Sequence, residues 1–390
     1  MSSCCLCGPR ILHEITNCNK LVRLCLSKNN FSQLSENLEE GFSFGASKNS
    51  LKILEMEYCK MQDPKLLSAI TSCEVLKTLS IGNNQFSFHN YNYSLGSSKR
   101  TLRYLKIRSM IFSKAEDICL FLDLPKLEIL DMSYSFLNMY EQDLNIDHIG
   151  CSRSTLRELN INGCKLVNPS SLLMFTSFPK LREISISYNC FKAFLQNFKL
   201  GDSRNTLNKI IAISCDLQDR YIVKALTDCI NLKSLILDQN FNLGKAGKVT
   251  FGISKDSLKE LRLQNCNISL PAWMDEVRRC NKIEKINLAY NSLSLIRDEF
   301  DFEGLKKSVI SLNLCGCGIN HLRILSSLAN YYCLEYLVLD FNDLRNLNHK
   351  FDFGNLQHKL VLLSLVECRL KSSCKRKIDR FFIFINHLNL

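Results

Sequence analysis

One pattern of apolar residues returns about every 25 residues along this chain, and it restricts the fold before composition is considered. The pattern is apolar, two residues, apolar, one residue, apolar, two residues, Asn or Cys, one residue, apolar. Leu21, Leu24, Leu26, Asn29 and Phe31 form one instance, and Leu51, Leu54, Met56, Cys59 and Met61 form the next. Others begin at Leu76, Leu102, Leu127, Leu156, Leu181, Leu207, Leu232, Leu258, Ile283, Val309, Leu334 and Leu360, fourteen rungs in all. Self-similarity at such a period marks a stack of small units, none of which can bury its apolar side alone. The spacing Leu54-x-Met56 has period two, so both side chains leave a strand on one face. Stacked rungs then pair these short strands into a parallel sheet.

From the second rung on, the spacings read 25, 26, 25, 29, 25, 26, 25, 26, 25, 26, 25, 26, so the true unit is a pair of rungs about 51 residues long. One member carries Cys at the ninth position (Cys59, Cys164, Cys215, Cys266, Cys317, Cys368), with Met110 as the exception. The other carries Asn (Asn29, Asn84, Asn189, Asn240, Asn291, Asn342), with Ser135 as the exception. The return paths differ too. After a Cys rung, apolar residues at helical spacing precede the next motif, as in Ile222, Val223, Leu226 and Cys229, or Trp273, Met274, Val277 and Cys280. After an Asn rung the apolar residues alternate and end in glycine: Phe42-Ser-Phe44-Gly45, Phe198-Lys-Leu200-Gly201, Val249-Thr-Phe251-Gly252, Phe351-Asp-Phe353-Gly354. That alternation predicts a short strand. Gly45, Gly96, Gly150, Gly201, Gly252 and Gly354 lie six residues before the next rung, where a turn with positive φ is expected.

The motif resembles that of the leucine-rich-repeat superfamily, L-x-x-L-x-L-x-x-N/C-x-L, over nearly the whole chain. Leu258-Lys-Glu-Leu261-Arg-Leu263-Gln-Asn-Cys266-Asn-Ile268 is similar to its cysteine-containing type. The alternation is similar to that of ribonuclease-inhibitor-like proteins, whose units are longer. The resemblance implies an α/β solenoid, a horseshoe with a parallel concave β-sheet and a convex side alternating helix and short strand. It also implies that the ninth-position Asn bonds backbone groups left open by the turn, in a ladder along the stack. Cys would do so more weakly while filling a small apolar space. The expectation is a single solenoid over 1–390, with about fourteen rungs at 21–370. Cys4, Leu6, Ile11, Leu12, Ile15 and Cys18 fit a partial rung at 1–20 whose strand would precede Met1. At the far end, Ile378, Phe381, Phe382 and Ile385 have helical spacing and favour a capping helix at 373–387. A truncated fifteenth rung through Ile385, Leu388 and Leu390 is the alternative.

The repeat also accounts for much of the unusual composition. Of 20 cysteines, eleven occupy its two cysteine slots. No basic stretch followed by an apolar one opens the chain, and no apolar run approaches the ~20 residues of a membrane span. Free thiols in a reducing compartment, the cytoplasm with the nucleus left open, are therefore expected. Sequons at Asn30, Asn92 and Asn267 point weakly the other way. Neither Cys4-Cys5-x-Cys7 nor Cys315-x-Cys317 has zinc-site spacing. The seven histidines (His13, His89, His148, His321, His349, His358, His387) stand in no nucleophile arrangement. No phosphate- or dinucleotide-binding glycine motif is present. The sequence predicts no enzyme, cofactor or metal.

The formal net charge of +12 raises nucleic acid. Arg103, Lys106 and Arg108 with Tyr104 do form a basic rung, but Glu55, Glu57 and Asp131 adjoin it, so no nucleic acid is expected. Protein recognition on the outward strand positions remains. Most of these are small or polar, such as Asn160, Asn162, Ser185, Ser187 and Arg262. Two apolar groups depart from that: Ile211, Ile213 and Ile236, then Tyr336, Val338, Phe341, Leu362 and Val366. A row at the strand exits (Tyr58, Tyr134, Tyr188, Tyr290, Phe341) either anchors a partner or packs along the sheet edge. The small Ala212 leaves a rival register in which Ile211 and Ile213 point inward. Two functions fit: a monomeric adaptor binding a protein on the concave face, or the recognition portion of a larger receptor or ubiquitin-ligase adaptor.

Overall fold

The computed structural model describes residues 1–7, 9–32, 44–62, 65–86, 95–112, 115–137, 150–167, 169–191, 198–269, 271–295, 303–320, 322–347, 354–381 and 387–389. Phe42, Asn92, Phe351, Phe353, Phe382, Ile385, Leu390 and the histidines at 89, 148, 321 and 349 lie outside them. The chain forms two compact units. The first is residues 1–189 with 201–203, and the second is 190–200 with 204–390.

In the first unit the sheet strands are β1 (Arg23–Cys25), β2 (Ile53–Glu55), β3 (Thr78–Ser80), β4 (Tyr104–Lys106), β6 (Ile129–Asp131), β8 (Glu158–Asn160) and β9 (Glu183–Ser185). In the second they are β10 (Lys209–Ile211), β11 (Ser234–Ile236), β12 (Glu260–Arg262), β13 (Lys285–Asn287), β14 (Ser311–Asn313), β15 (Tyr336–Val338), β16 (Leu362–Ser364) and β17 (His387–Asn389). Within each unit successive strands pair in parallel without a residue of slip, as in Leu54↔Leu79 and Leu235↔Leu261. A strand lies at each of the fourteen rung positions, and β17 follows them. The middle residue of each of these strands up to β16 and the residue two further on turn inward, so Leu54, Met56, Leu235 and Leu237 are fully buried. Each such burial stabilises by about 1.5–3 kcal/mol.

Helices occupy the return paths of the Cys rungs, as the spacing predicts. They are α1 (Pro9–Thr16), α2 (Lys65–Ile70), α3 (Ala115–Leu122) and α4 (Pro169–Phe175) in the first unit. The second holds α5 (Arg220–Thr227), α6 (Pro271–Arg278), α7 (Leu322–Leu328) and α8 (Ser372–Phe381). Asp219 caps α5, its carboxylate accepting from the Tyr221 amide at 2.9 Å. The Asn rungs depart from expectation. Among the described residues no strand forms where the alternating residues end in glycine. A single 3₁₀ turn follows instead, as at Ala46–Asn49, Ser97–Arg100, Cys151–Ser154 and Ile253–Asp256. Alternation itself explains this: a strand flanked by helical return paths has no neighbour with which to form a ladder. The one extra strand pair, β5 (Ile111–Phe112) with β7 (Phe136–Leu137), directly follows the two exceptional ladder residues Met110 and Ser135.

The glycine expectation holds in part. Gly45, Gly96 and Gly354 have positive φ, but Gly150 and Gly252 have φ of −59° and −75°. At Gly252 the need is for space: a Cβ would lie 2.8 Å from the Thr227 carbonyl oxygen at the end of α5. The Gly252 amide donates to the Thr227 hydroxyl at 2.8 Å. Gly201 meets Thr176 at the end of α4 the same way, at 2.9 Å, and the Ser203 amide takes the Thr176 carbonyl. Carbonyls that a helix end leaves open are thus satisfied by the following return path.

The C-terminal segment contains both alternatives read from sequence. α8 buries Cys374 and Ile378, and β17 then pairs with β16, so the helix is a return path and not the last element.

Candidate functional site

The ladder beneath the strand exits sets the geometry of the recognition surface. Asn291 is typical. Its Oδ1 accepts from the Cys266 and Ile268 amides at 3.1 and 2.9 Å, and its Nδ2 donates to the Leu263 and Leu288 carbonyls at 2.7 and 2.8 Å. Asn84, Asn240 and Asn342 make the corresponding bonds, and Asn29 accepts from the Cys4 and Leu6 amides. The cysteine thiols reach one carbonyl of the preceding rung, Cys317 to Leu288 and Cys266 to Leu237, both at 3.1 Å, and a second within their own rung, Cys315 and Gln264, at 3.6 and 3.5 Å. Burial pushes both thiols up to about 12. At the exceptional pair, Ser135 Oγ accepts from the Met110 amide and donates to the Ile107 carbonyl, both at 3.1 Å.

The residue before each ladder position takes positive φ in rung after rung, including Tyr58, Tyr134, Tyr188, Tyr290 and Phe341 at 56–59°. A bulky residue there costs on the order of 1 kcal/mol, and other rungs use Asn83, Asn265, Gly163 or Gly316. The amide of Tyr290 is held by the Cys315 carbonyl at 2.7 Å, and that of Phe341 by the Val366 carbonyl at 2.8 Å. Edge packing accounts for part of the row. A Cβ on Gly163 or Gly316 would lie 2.7 Å from the ring of Tyr134 or Tyr290, so each ring lies across a glycine of the next rung. The Tyr290 hydroxyl also bonds the Cys315 thiol, which pushes the phenol up. All five rings nevertheless remain about half exposed, 48–59%.

The outward strand positions fall where the period-two reading puts them. In the second unit Ile210 and Ala212 are fully buried, while Ile211 and Ile213 lie on the other face, half-buried. Ile211 pairs in register with Ile236, so the slipped register is excluded. Further along the same unit, Tyr336 pairs with Leu362, and Val338 with Ser364. Tyr336 and Phe341 are 41% and 55% exposed, and Val338, Leu362 and Val366 are half-buried beside them. The two apolar groups are separate, with β12, β13 and β14 between them.

In the first unit the basic rung is less basic than its composition suggests. Tyr104 and Lys106 are exposed on β4. Arg108 donates from Nε to Asp131 Oδ2 at 2.7 Å, which raises the guanidinium and spends its charge internally. Arg262 and the buried Asp238 form a matching pair at 2.9 Å in the second unit. Sequence reading missed both pairs, although Asp and Arg on adjacent rungs were their visible signal. Among the described residues no group of three or more His, Cys, Asp or Glu could hold a metal ion. No helix there is long and apolar enough to cross a membrane.

These features define a leucine-rich-repeat α/β solenoid. No protein-family model matches the chain, and no curated protein matches it in sequence. Among solved structures it is similar to an internalin (inlF) from Listeria monocytogenes, with a TM-score of 0.54 and 17% identity, covering 86% of this chain and 83% of that one. At that identity the likeness speaks for the fold.

Proposed function

We propose that the chain is a protein-binding scaffold of the cysteine-containing repeat type, and that the solvent face of its sheet is the recognition surface. The observation that carries this reading is the group on β15 and β16. Leu337, Leu339, Leu363 and Leu365 already fill the core side of these rungs. Tyr336, Val338, Leu362, Val366 and Phe341 are apolar beyond what packing requires, on a face that elsewhere carries Asn160, Ser185, Lys285 and Asn287. Aromatic side chains held rigidly in such a patch are the usual anchors of a protein interface. A reducing compartment, the cytoplasm, fits the thiols. All 20 are free, and those at the ladder have their protons held by burial. The test is affinity capture with the intact chain and with a Tyr336→Ala/Phe341→Ala double variant. Proteins retained by the first and lost by the second, at unchanged melting temperature, are expected. An identical retained set would remove the patch from the function.

A further inference from the structure

Two rows run side by side across β2, β3, β4 and β6 of the first unit. The first contains Lys52, Lys77, Arg103 and Glu128, each immediately before its strand. The amide of each of the last three donates to the carbonyl of the one before, at 2.8–2.9 Å, so the residues stand one above the next. The second row is Ile53, Thr78, Tyr104 and Ile129, in direct register. Lys106 lies beyond that row, between Ser80 and Asp131. A strip of Ile53, Tyr104 and Ile129 with Thr78, about 14 Å long over three strand spacings, is therefore bordered by Lys52, Lys77 and Arg103 on one side and by Lys106, among Glu55, Ser80 and Asp131, on the other.

The ion pairs show which charge is left over. Each carboxylate around the strip is engaged within the chain: Glu55 by Arg23 at 2.9 Å, Glu57 by the Ser80 hydroxyl, Asp131 by Arg108, and Glu128 by Arg103. Lys52, Lys77 and Lys106 are exposed, and none has a carboxylate partner among the described residues. The fold does not need a cation at every such position. The corresponding residues of the second unit are Asn208, Lys233, Lys259, Glu284, Ile310, Glu335 and Val361, and of its two lysines Lys259 is paired with Glu284.

We infer that this strip binds an extended, acidic segment of a partner protein in which carboxylates alternate with apolar side chains. The inference rests on the sheet face being a protein-binding surface and names the partner class for the first unit. Apolar side chains of the segment lie along Ile53, Thr78, Tyr104 and Ile129, and its carboxylates meet Lys52, Lys77 and Lys106. A nucleic acid fits less well: Tyr104 is the one ring in the strip on which a base could stack.

The experiment is fluorescence anisotropy with the full chain and a labelled peptide of about nine residues, enough to cross the four strands when extended. The peptide alternates glutamate with leucine and phenylalanine. Comparison probes replace glutamate by glutamine, or use oligodeoxythymidylate of equal charge. The glutamate peptide should bind best and weaken as salt rises. Lys52→Glu/Lys77→Glu should weaken it about tenfold, because each change removes an attraction and adds a repulsion. Lys375→Glu/Arg376→Glu on α8 makes the same change in net charge elsewhere and should leave binding within about twofold. Equal binding of the glutamine peptide would overturn the acidic inference while leaving a protein-binding face. Preference for the oligonucleotide would overturn both readings, and equal loss in both double variants would reduce the effect to net charge and overturn the inference.

Discussion

Replacing Asn291 by alanine removes the side chain that ties two rungs together, and its cost can be worked out from the bonds it makes. The Cys266 and Ile268 amides would lose their acceptor. The Leu263 carbonyl would lose its side-chain donor, whereas Leu288 would keep the Cys317 thiol. Three buried backbone groups are thus orphaned, at about 1–2 kcal/mol each. The expected loss is about 4 kcal/mol, large against a typical total of about 5–15 kcal/mol. Cys317→Ala removes the thiol's bonds to Leu288 and Cys315 but leaves the Leu288 carbonyl bonded to Asn291 and the Cys315 carbonyl bonded to the Tyr290 amide, so about 1–2 kcal/mol is expected. Urea unfolding of both variants gives the ranking. Hydrogen exchange at the Cys266 and Ile268 amides gives the local effect, which should be faster in Asn291→Ala and near wild type in Cys317→Ala. An Asn291→Ala loss below about 1 kcal/mol with those amides still protected would refute the ladder argument.

Ile213→Asp should change stability by no more than about 0.5 kcal/mol, since the side chain is off the core; a sharp drop in a thermal melt would contradict the register. Gly252→Ala should cost about 1–3 kcal/mol through its collision with the Thr227 carbonyl, although its φ suits alanine, and a neutral melt would show that the return path gives way. The raised thiols predict alkaline sensitivity. Cys266, Cys280 and Cys317 go from an ordinary 9 to about 12, so the folded chain holds protons that the unfolded chain releases. Their contribution is complete below pH ~9 and is lost as pH rises toward ~12, by up to about 1.4 kcal/mol per pH unit for each thiol. Unchanged urea midpoints from pH 8 to 10.5 would argue against it. Alkylation of the native protein without reductant should favour exposed Cys4, Cys5, Cys7, Cys18 and Cys151, reaching all 20 thiols after unfolding; native disulfides would contradict the compartment proposed.

The strands were legible because a period of two and a spacing of 25–26 leave one way to stack the rungs. Ile210 and Ala212 face the core for that reason, despite the small size of Ala212. The Asn and Cys ladder was legible because the same two residue types recur in one slot. The return paths were harder. What holds Gly252 is the far end of α5, and where a helix stops depends on caps and neighbours more than on apolar spacing. The alternation of Val249 and Phe251 resembled a strand, and only the helical neighbours show why none forms. On the binding face, positions were readable and charges were not. Arg108 counted as a free cation until its side chain was seen on Asp131. Whether Tyr134 lies flat or projects depended on Gly163 in the next rung.

The ladder's bonds are unevenly distributed, and this has a mechanical consequence. Asn291 reaches back to Cys266 and Ile268 of the preceding Cys rung, and Gly252 and Gly201 latch onto helix ends of the rungs before theirs. From an Asn rung to the next Cys rung, the side-chain link at the ladder is a single thiol, Cys317 to Leu288. Strong and weak seams alternate along the stack. Pulled from its ends, the chain should therefore come apart in pairs of rungs. Each event would free the 51 residues that separate Asn240 from Asn291 and Asn291 from Asn342, and lengthen the tether by about 170 Å. Steps of half that length in a single-molecule trace would mean that the two seams are equally strong.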